Sequence, residues 1–187
     1  MTSAAPRCRD AAAADAAALG AIHVAAWRAA YAGHMPAEFL ARLDAARAAR
    51  HWVDWLRAGD PTIVVESGAA VVGFCRYGPS RDPGSMGVGE IIAINLDPAH
   101  WRRGFGRVLL LEACARLHAA GCNEATLWVL DQNDGARRFY EAHDWRLDGA
   151  RRVDTALTGA ALQEVRYRIA LSEGAGPGGR GRGPGRP

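Results

Sequence analysis

The segment Leu96–Leu110, LDPAHWRRGFGRVLL, is the most informative stretch of the sequence for the fold. It follows a nearly continuous apolar run, Glu90–Leu96, which is typical of a central strand covered on both faces. Pro98 ends that strand, because proline cannot donate to a sheet ladder. A helical pattern then runs over Phe105–Ala120. The segment is therefore a loop between a buried strand and the first turn of a helix.

The composition of this loop favours a bound phosphate. The first turn of a helix has free N–H groups, and its dipole attracts an anion. Gly104 and Gly106 allow the backbone to approach a ligand closely. Positive charge comes from Arg102, Arg103 and Arg107. A Walker loop is excluded because the chain has no lysine, and a Rossmann fingerprint is excluded because Leu109 replaces its third glycine. A simple turn with solvated arginines stays open as an alternative.

Composition narrows the class of protein. With 187 residues, of which 49% are hydrophobic, the chain is expected to form one globular domain. No apolar run is long enough for a membrane span, and the N-terminus lacks the apolar core of a secretory signal. The net charge is only +3, and three of the arginines lie in the last eight residues, so a nucleic-acid-binding core is not expected. The cysteines and histidines lack metal-ligand spacing, which predicts reduced thiols, a cytoplasmic location and no metal site.

Helices are predicted before the loop and a second strand–helix pair after it. Asp10–Met35 reads as one helix, and Pro36–Gly59 as another with a break near Arg50. The segments TIVVES and AVVGFCRYG predict a hairpin, followed by an irregular loop over Gly78–Gly89. After the loop helix, EATLWVL is a central strand, Asn133–Ala142 a short helix and LQEVRYRIAL a final strand. The pattern predicts an α/β or α+β fold, with helices covering a mixed sheet.

Two motifs resemble one family. Trp101–Gly106 is similar to the acetyl-CoA loop, [Q/R]xxGx[G/A], of the GCN5-related N-acetyltransferase (GNAT) superfamily, although Trp101 departs from the usual Gln or Arg. The second motif, NDGARRFYEAHDW, places Asn133 and Tyr140 seven residues apart, as the family has them. Asp144 and Trp145 replace its usual glycine and phenylalanine. The resemblance implies a mixed, mostly antiparallel sheet with a splayed central strand pair, flanked by helices.

The resemblance also implies domain bounds. An acetyltransferase domain is expected over residues 6–171, after an N-terminal extension of residues 1–5. Residues 172–187, rich in glycine, proline and arginine, have no side chain large enough to pack and are expected to be a disordered tail.

The activity implied is acetyl transfer from acetyl-CoA to an amine, without a metal. The family pattern places the co-substrate against Ile94, Asn95, Leu96, Arg102, Arg103, Gly104, Phe105, Gly106, Arg107 and Asn133. The loop amides are expected to bind the pyrophosphate, and the backbone of the splayed strand the pantetheine arm. Asn133 is expected to hydrogen-bond that arm, or alternatively to cap its own helix.

Two residues are candidates for proton transfer. Tyr140 is the expected general acid for the departing CoA thiolate, with core packing as the alternative. Glu90 is the expected base, with a solvent-facing or loop-bonded carboxylate as the alternative. Trp128 occupies the position where some protein N-terminal acetyltransferases of the superfamily have a glutamate, which argues against that subtype. Trp27 and Tyr31 are expected in the acceptor cleft, where they could contact a cation or simply pack in the core.

Several functions stay open on the sequence. The acceptor could be a small amine, an aminosugar, a polyamine or a peptide N-terminus. The alternatives to an enzyme are a non-catalytic acetyl-CoA-binding regulatory module and a nucleic-acid binder acting through the arginine tail. Family habit alone suggests a homodimer, and no nucleic acid or membrane is expected as a partner.

Overall fold

A computed structural model describes residues 6–172, which form seven strands and five α-helices. The strands are β1 (Arg7–Asp10), β2 (Thr62–Ser67), β3 (Ala70–Pro79), β4 (Val88–Leu96), β5 (Glu124–Leu130), β6 (Arg146–Asp154) and β7 (Leu162–Ala170). The helices are α1 (Ala16–Ala30), α2 (Ala37–Ala41), α3 (Ala45–Arg57), α4 (Phe105–Ala119) and α5 (Asp134–Glu141). One sheet contains all the strands, in the order β1-β2-β3-β4-β5-β7-β6. Neighbouring strands in the sheet are antiparallel except for the parallel pair β4–β5, which confirms the predicted mixed, mostly antiparallel sheet.

Both faces of the central strands are buried. In β2, Ile63 and Val65 point into a core that contains the apolar side of α4, whereas Val64 points to the other face, against α1 and α3. This alternation follows from the two-residue period of a strand. Because α1 and α4 pack on opposite faces of the central strands, the apolar run of β4 is covered on both sides, as its composition predicts.

The central strand pair splays apart. Pairing between β4 and β5 is confined to three positions and ends at Glu90 and Thr126. Beyond them the register of β4 with β3 shifts, because Tyr77 pairs with Ile91 but Arg76 pairs with Ala93. One extra residue in a strand bends it locally and breaks its ladder. The predicted splay is therefore confirmed. The C-terminal part of β4, after Glu90, has an open edge on the side of β5.

The N-terminal prediction of one long helix over Asp10–Met35 was wrong. Arg7–Asp10 is an edge strand paired with β2, and a short 3₁₀ turn over Ala13–Asp15 precedes α1. Asp15 explains the boundary, because its carboxylate accepts from the N–H of Ala12 at 2.7 Å and from the Arg9 guanidinium. The chain thus turns sharply before the helix can begin.

The second helical stretch also differs from the prediction. It contains two helices, and the break lies at residues 42–44 rather than near Arg50. Asp44 sets the break, because its side chain accepts from the N–H of Arg47 at 2.7 Å and caps α3. The irregular loop is shorter than predicted, because β3 extends to Pro79 and β4 begins at Val88. The hairpin β6–β7 was predicted only in its second strand.

Some predictions fall outside the described residues. These are the extension over residues 1–5 and the tail, apart from Ser172. Among residues 6–172, none of the helices combines the length and the apolar character needed to cross a membrane.

Candidate active site

The loop that leads into α4 forms an open anion cradle. Asp97 caps a 3₁₀ turn over Pro98–His100, and Gly104 then begins α4 in a left-handed conformation with φ of 87°. The backbone N–H groups of residues 102–107 donate to no other described residue. Arg102 also has a positive φ of 56°, which is uncommon for a residue other than glycine. Such a run of free N–H groups at a helix N-terminus suits a phosphate.

The arginines of the cradle are available to a ligand. Arg102, Arg103 and Arg107 are exposed, and none forms an ion pair with a carboxylate of the described residues. They therefore add positive charge beside the free N–H groups. Phosphate binding by this loop stays a prediction.

Gly106 is needed for close packing at the same place. A Cβ atom there would lie 3.1 Å from Leu96 Cδ1 and 3.3 Å from the ring of Phe139. The glycine thus lets the start of α4 approach both the end of β4 and helix α5. Gly104 differs, because a Cβ atom there would meet nothing within 4 Å and its positive φ alone favours glycine.

The open edge of β4 presents alternate backbone groups. The Asp97 N–H donates to the carbonyl of Val72 on β3 at 2.9 Å, so the backbone groups of Asp97 face β3. Because ladder groups alternate between the two edges, those of Asn95 face β3, whereas those of Ile94 and Leu96 face the gap toward β5. Two of the three predicted backbone positions are thus oriented toward a ligand in the gap, and Asn95 could contribute only its side chain.

Trp101 fills the position where the family motif has Gln or Arg. Its indole N–H donates to the Leu96 carbonyl at 3.0 Å, so it ties the loop back to the end of β4. The substitution therefore has a structural role that leaves the glycines and free amides of the cradle in place.

Asn133 caps α5. Its Oδ1 accepts from the N–H of Ala136 at 3.1 Å, and the residue is buried. The cap, one of the two roles predicted, is present. The side-chain nitrogen donates to no described residue, so a contact with a bound ligand stays a prediction.

Tyr140 is buried in the core that contains the apolar side of α4. Its ring packs near Phe139, Trp145 and Tyr167, with centroid distances of 5.3, 6.2 and 6.1 Å. Burial raises the pKa of Tyr140 well above its ordinary value, with smaller contributions from Tyr31 and Cys75. The raised pKa keeps the hydroxyl protonated, and it donates to no described residue, so its proton is available.

Glu90 lies at the last paired position of β4, where the splay begins. Its side chain is 2% exposed and is bound by Arg81 in the loop before β4. Oε2 accepts from the Arg81 N–H at 2.9 Å and from Nε at 3.0 Å, and Oε1 accepts from Nη2 at 2.6 Å. Of the alternatives considered, this is the loop-bonded carboxylate. A role as base stays a prediction, and it requires an oxygen lone pair that Arg81 does not occupy.

Helices α1 and α2 and the residue that follows α1 provide aromatic rings. His23, Trp27 and Tyr31 recur every four residues on α1, so they share one side of the helix. Ring centroids lie 4.8 Å apart for His23 and Trp27, and 5.2 Å apart for Trp27 and Tyr31. Burial lowers the pKa of His23 to about 4, which leaves the imidazole neutral at pH 7. Trp27, Tyr31 and Phe39 are half-buried and are called the aromatic wall below.

An ionic network surrounds Trp128, and it could not be predicted from the sequence. The indole donates to Asp82 at 3.1 Å, and the Arg152 guanidinium lies 4.3 Å from the ring centroid. Arg166 donates to the same Asp82 carboxylate at 2.7 Å. Arg81 and Asp82 belong to a loop without periodicity, so no sequence pattern could have linked them to β4, β5 and β7. Across residues 6–172, no cluster of His, Cys, Asp or Glu could hold a metal ion.

Comparisons with known proteins agree with this geometry. The profile of the acetyltransferase (GNAT) family matches residues 20–145. The chain is 29% identical to Rv2775 of Mycobacterium tuberculosis, named a probable N-acetyltransferase, over 81% of this chain and 86% of that protein. It is 31% identical to YuaI of Bacillus subtilis, named an uncharacterized N-acetyltransferase, over 65% of this chain and 69% of that protein.

A solved structure with the same fold is that of yncA from Salmonella typhimurium, which contains acetyl-CoA. Its TM-score is 0.65 and its identity 23%, and the match covers 92% of this chain and 98% of that one. At this identity the likeness concerns the fold. Because the family profile spans most of the chain, including both motifs and the splayed strands, the chain belongs to the acetyltransferase (GNAT) family.

Proposed function

We propose that the protein transfers an acetyl group from acetyl-CoA to a primary amine of an acceptor. Family membership makes it an acyl-CoA-dependent acyltransferase. The observation that carries the proposal is the cradle, where a run of free N–H groups and three unpaired arginines lie at the end of a strand with an open edge. A pyrophosphate with an extended amide-bearing arm fits both parts, since the cradle binds the anion and the open edge binds amides.

Each part of the site has a defined task. Acetyl-CoA, when bound, supplies the acetyl group and leaves as a thiolate. The N–H groups of residues 102–107 bind the pyrophosphate. The backbone groups of Ile94 and the N–H of Leu96, whose carbonyl is bound by Trp101, pair with the pantetheine arm. A free N–H on β4 polarises the thioester carbonyl, because a donor in a water-poor site stabilises negative charge strongly. Holding the thioester beside the amine removes much of the entropic barrier.

Proton transfer falls to the two candidates from the sequence. Tyr140 donates a proton to the thiolate; support for this role is its raised pKa, which keeps the hydroxyl protonated. Glu90 receives the proton of the acceptor ammonium through water. Support for Glu90 is its position where the strands separate, and the Arg81 ion pair is the feature that weighs against it.

Replacing Glu90 tests the base. Glu90→Gln should lower kcat/KM by about tenfold at pH 7, below the usual range for an acid–base group because the proton passes through water. The loss should shrink at higher pH, where more of the acceptor amine is already neutral. The measurement is a pH–rate profile with one identified acceptor.

Arg81→Gln is the matched control, because it breaks the same ion pair and keeps the carboxylate. If Glu90 is the base, this variant retains most of its activity. Equal losses in both variants, with superimposable profiles, would show that the ion pair is structural and would remove Glu90 from the mechanism. Circular dichroism at the assay temperature checks that both variants are folded.

The acceptor defines the experiment that tests the function as a whole. Thiol release from acetyl-CoA is measured with small amines, aminosugars, polyamines and peptides with free N-termini. The assay compares wild type with Gly104→Asp, in which a carboxylate occupies the cradle. Acceptor-dependent release by the wild type alone supports the enzyme. Binding of acetyl-CoA with no release for any amine would favour a non-catalytic module, which family membership disfavours. A homodimer and a cytoplasmic location stay predictions.

A further inference from the structure

A second carboxylate, that of Glu164 on β7, borders the aromatic wall. It pairs in register with Leu130 of β5 and with Arg152 of β6. Leu130 and Leu162 belong to the apolar cluster against which the aromatic wall packs. Residues two apart on a strand share a face, so Glu164 lies on the same face as Leu162, beside this cluster. It therefore lies on β7 beside the apolar cluster against which the aromatic wall packs.

The Glu164 carboxylate is only partly satisfied. Its side chain is 17% exposed, and Oε2 accepts from Arg152 Nε at 2.5 Å. Oε1 has no donor among residues 6–172, in contrast to Glu90, whose two oxygens both bind Arg81. Together with burial, the negative charge of Glu164 raises the pKa of Tyr31 to about 12, which places the carboxylate within electrostatic range of the aromatic wall.

We propose that Glu164 binds the acceptor ammonium and that the aromatic wall holds the acceptor's carrier. Aromatic faces attract cations, and a charge-assisted hydrogen bond to a half-buried carboxylate adds strength and direction. Because the wall and the cluster beneath it are apolar, the acceptor is a primary amine on an aromatic or apolar carrier. A hydroxyl-rich aminosugar would have to give up its hydration there. The inference rests on the proposed acetyl transfer, and it names the residue and the acceptor class that this reaction uses.

Binding can be tested without turnover. The probes are 2-phenylethylamine and its uncharged isostere 2-phenylethanol, titrated by calorimetry into the protein saturated with CoA. The amine should bind wild type at least about tenfold more tightly than the alcohol; tenfold is about 1.4 kcal/mol, near the low end for a hydrogen bond to a charged group. Glu164→Gln should remove this preference. An equal affinity of wild type for both probes, or an unchanged preference in Glu164→Gln, would overturn the proposal.

Glu66→Gln is the matched control. Glu66 is also 17% exposed and also accepts from a single arginine Nε, that of Arg9 at 2.7 Å, but it lies on β2. This variant should keep the wild-type preference for the amine. If it loses that preference as Glu164→Gln does, the effect is one of general charge and the proposal fails.

A kinetic measurement separates this inference from the proposed function. In Glu164→Gln, KM for 2-phenylethylamine should rise about tenfold with kcat within about twofold, because uniform binding is lost. Acetylation with an unchanged KM would overturn the role of Glu164 and leave the acetyltransferase intact. Binding that depends on Glu164 without thiol release would support the amine site and contradict acetyl transfer to this class of amine.

Discussion

Gly104→Asp should abolish detectable acetyl-CoA binding, with a loss of affinity of about 100-fold or more. The reason is electrostatic, since a carboxylate at the start of α4 would occupy the cradle and repel the pyrophosphate. Several charge-assisted hydrogen bonds would be lost together, each contributing about 1.5–3 kcal/mol. The fold should survive, because a Cβ atom at this position meets nothing within 4 Å and Asp tolerates a left-handed conformation. Calorimetry on the folded variant is the measurement.

Gly104→Asn is the control for this prediction. Asn has nearly the same size and shape as Asp and also adopts the left-handed conformation, but it is neutral. It should reduce affinity by about tenfold or less. Equal losses for Asp and Asn would mean that the side chain acts by bulk rather than charge. Unchanged affinity in both would place the phosphates elsewhere.

Tyr140→Phe should lower kcat by about 100-fold, the low end for general acid catalysis. Affinity for acetyl-CoA should barely move, because the ring and its packing are retained. Stability should also be unaffected, since the hydroxyl bonds to no described residue. Because burial raises the pKa of Tyr140, the phenol is protonated throughout the working range, and its ionisation should not limit the rate below pH 10. Steady-state kinetics with a saturating acceptor measures the effect.

Tyr167→Phe provides the comparison. Tyr167 belongs to the same buried aromatic group, but its hydroxyl donates to Glu141 at 2.5 Å and accepts from Arg137 at 3.2 Å. Removing that hydroxyl should reduce stability by about 1 kcal/mol and leave kcat within about twofold. Full activity of Tyr140→Phe would assign Tyr140 to packing and leave water as the proton donor.

Elements that are determined by residues close together in the sequence could be predicted. β4, α4 and β5 each have a strong apolar pattern and a clear terminator, and the cradle lies in one continuous stretch. The short helix α5 follows its capping residue Asn133. β1 could not be predicted, because its four residues include three charged ones and it exists only through pairing with β2. β6 is an edge strand whose side chains are almost all exposed, so it lacks the alternation that identifies a half-buried strand.

The residues of the candidate site also fall into two groups, those indicated by local sequence and those brought together only by folding. The loop amides lie in one continuous stretch, so the residues themselves indicated them, whereas Asn133 was identified through the resemblance to the family motif. Arg81 and Glu164 reach the site only because a loop and a distant strand fold onto the face of α1. The sequence could identify Glu90 as a carboxylate at the start of a strand, but not that Arg81 binds both of its oxygens.

The half-open edge of β4 has a consequence for hydrogen exchange. In the free protein the Asn95 amide is bonded to β3 and should exchange slowly, whereas the amides of Ile94 and Leu96 face the gap and should exchange fast. An extended ligand arm lying along β4 would act as the missing strand and protect these two amides. Protection that alternates in the free protein and becomes continuous with CoA would thus report, residue by residue, how the sheet is completed.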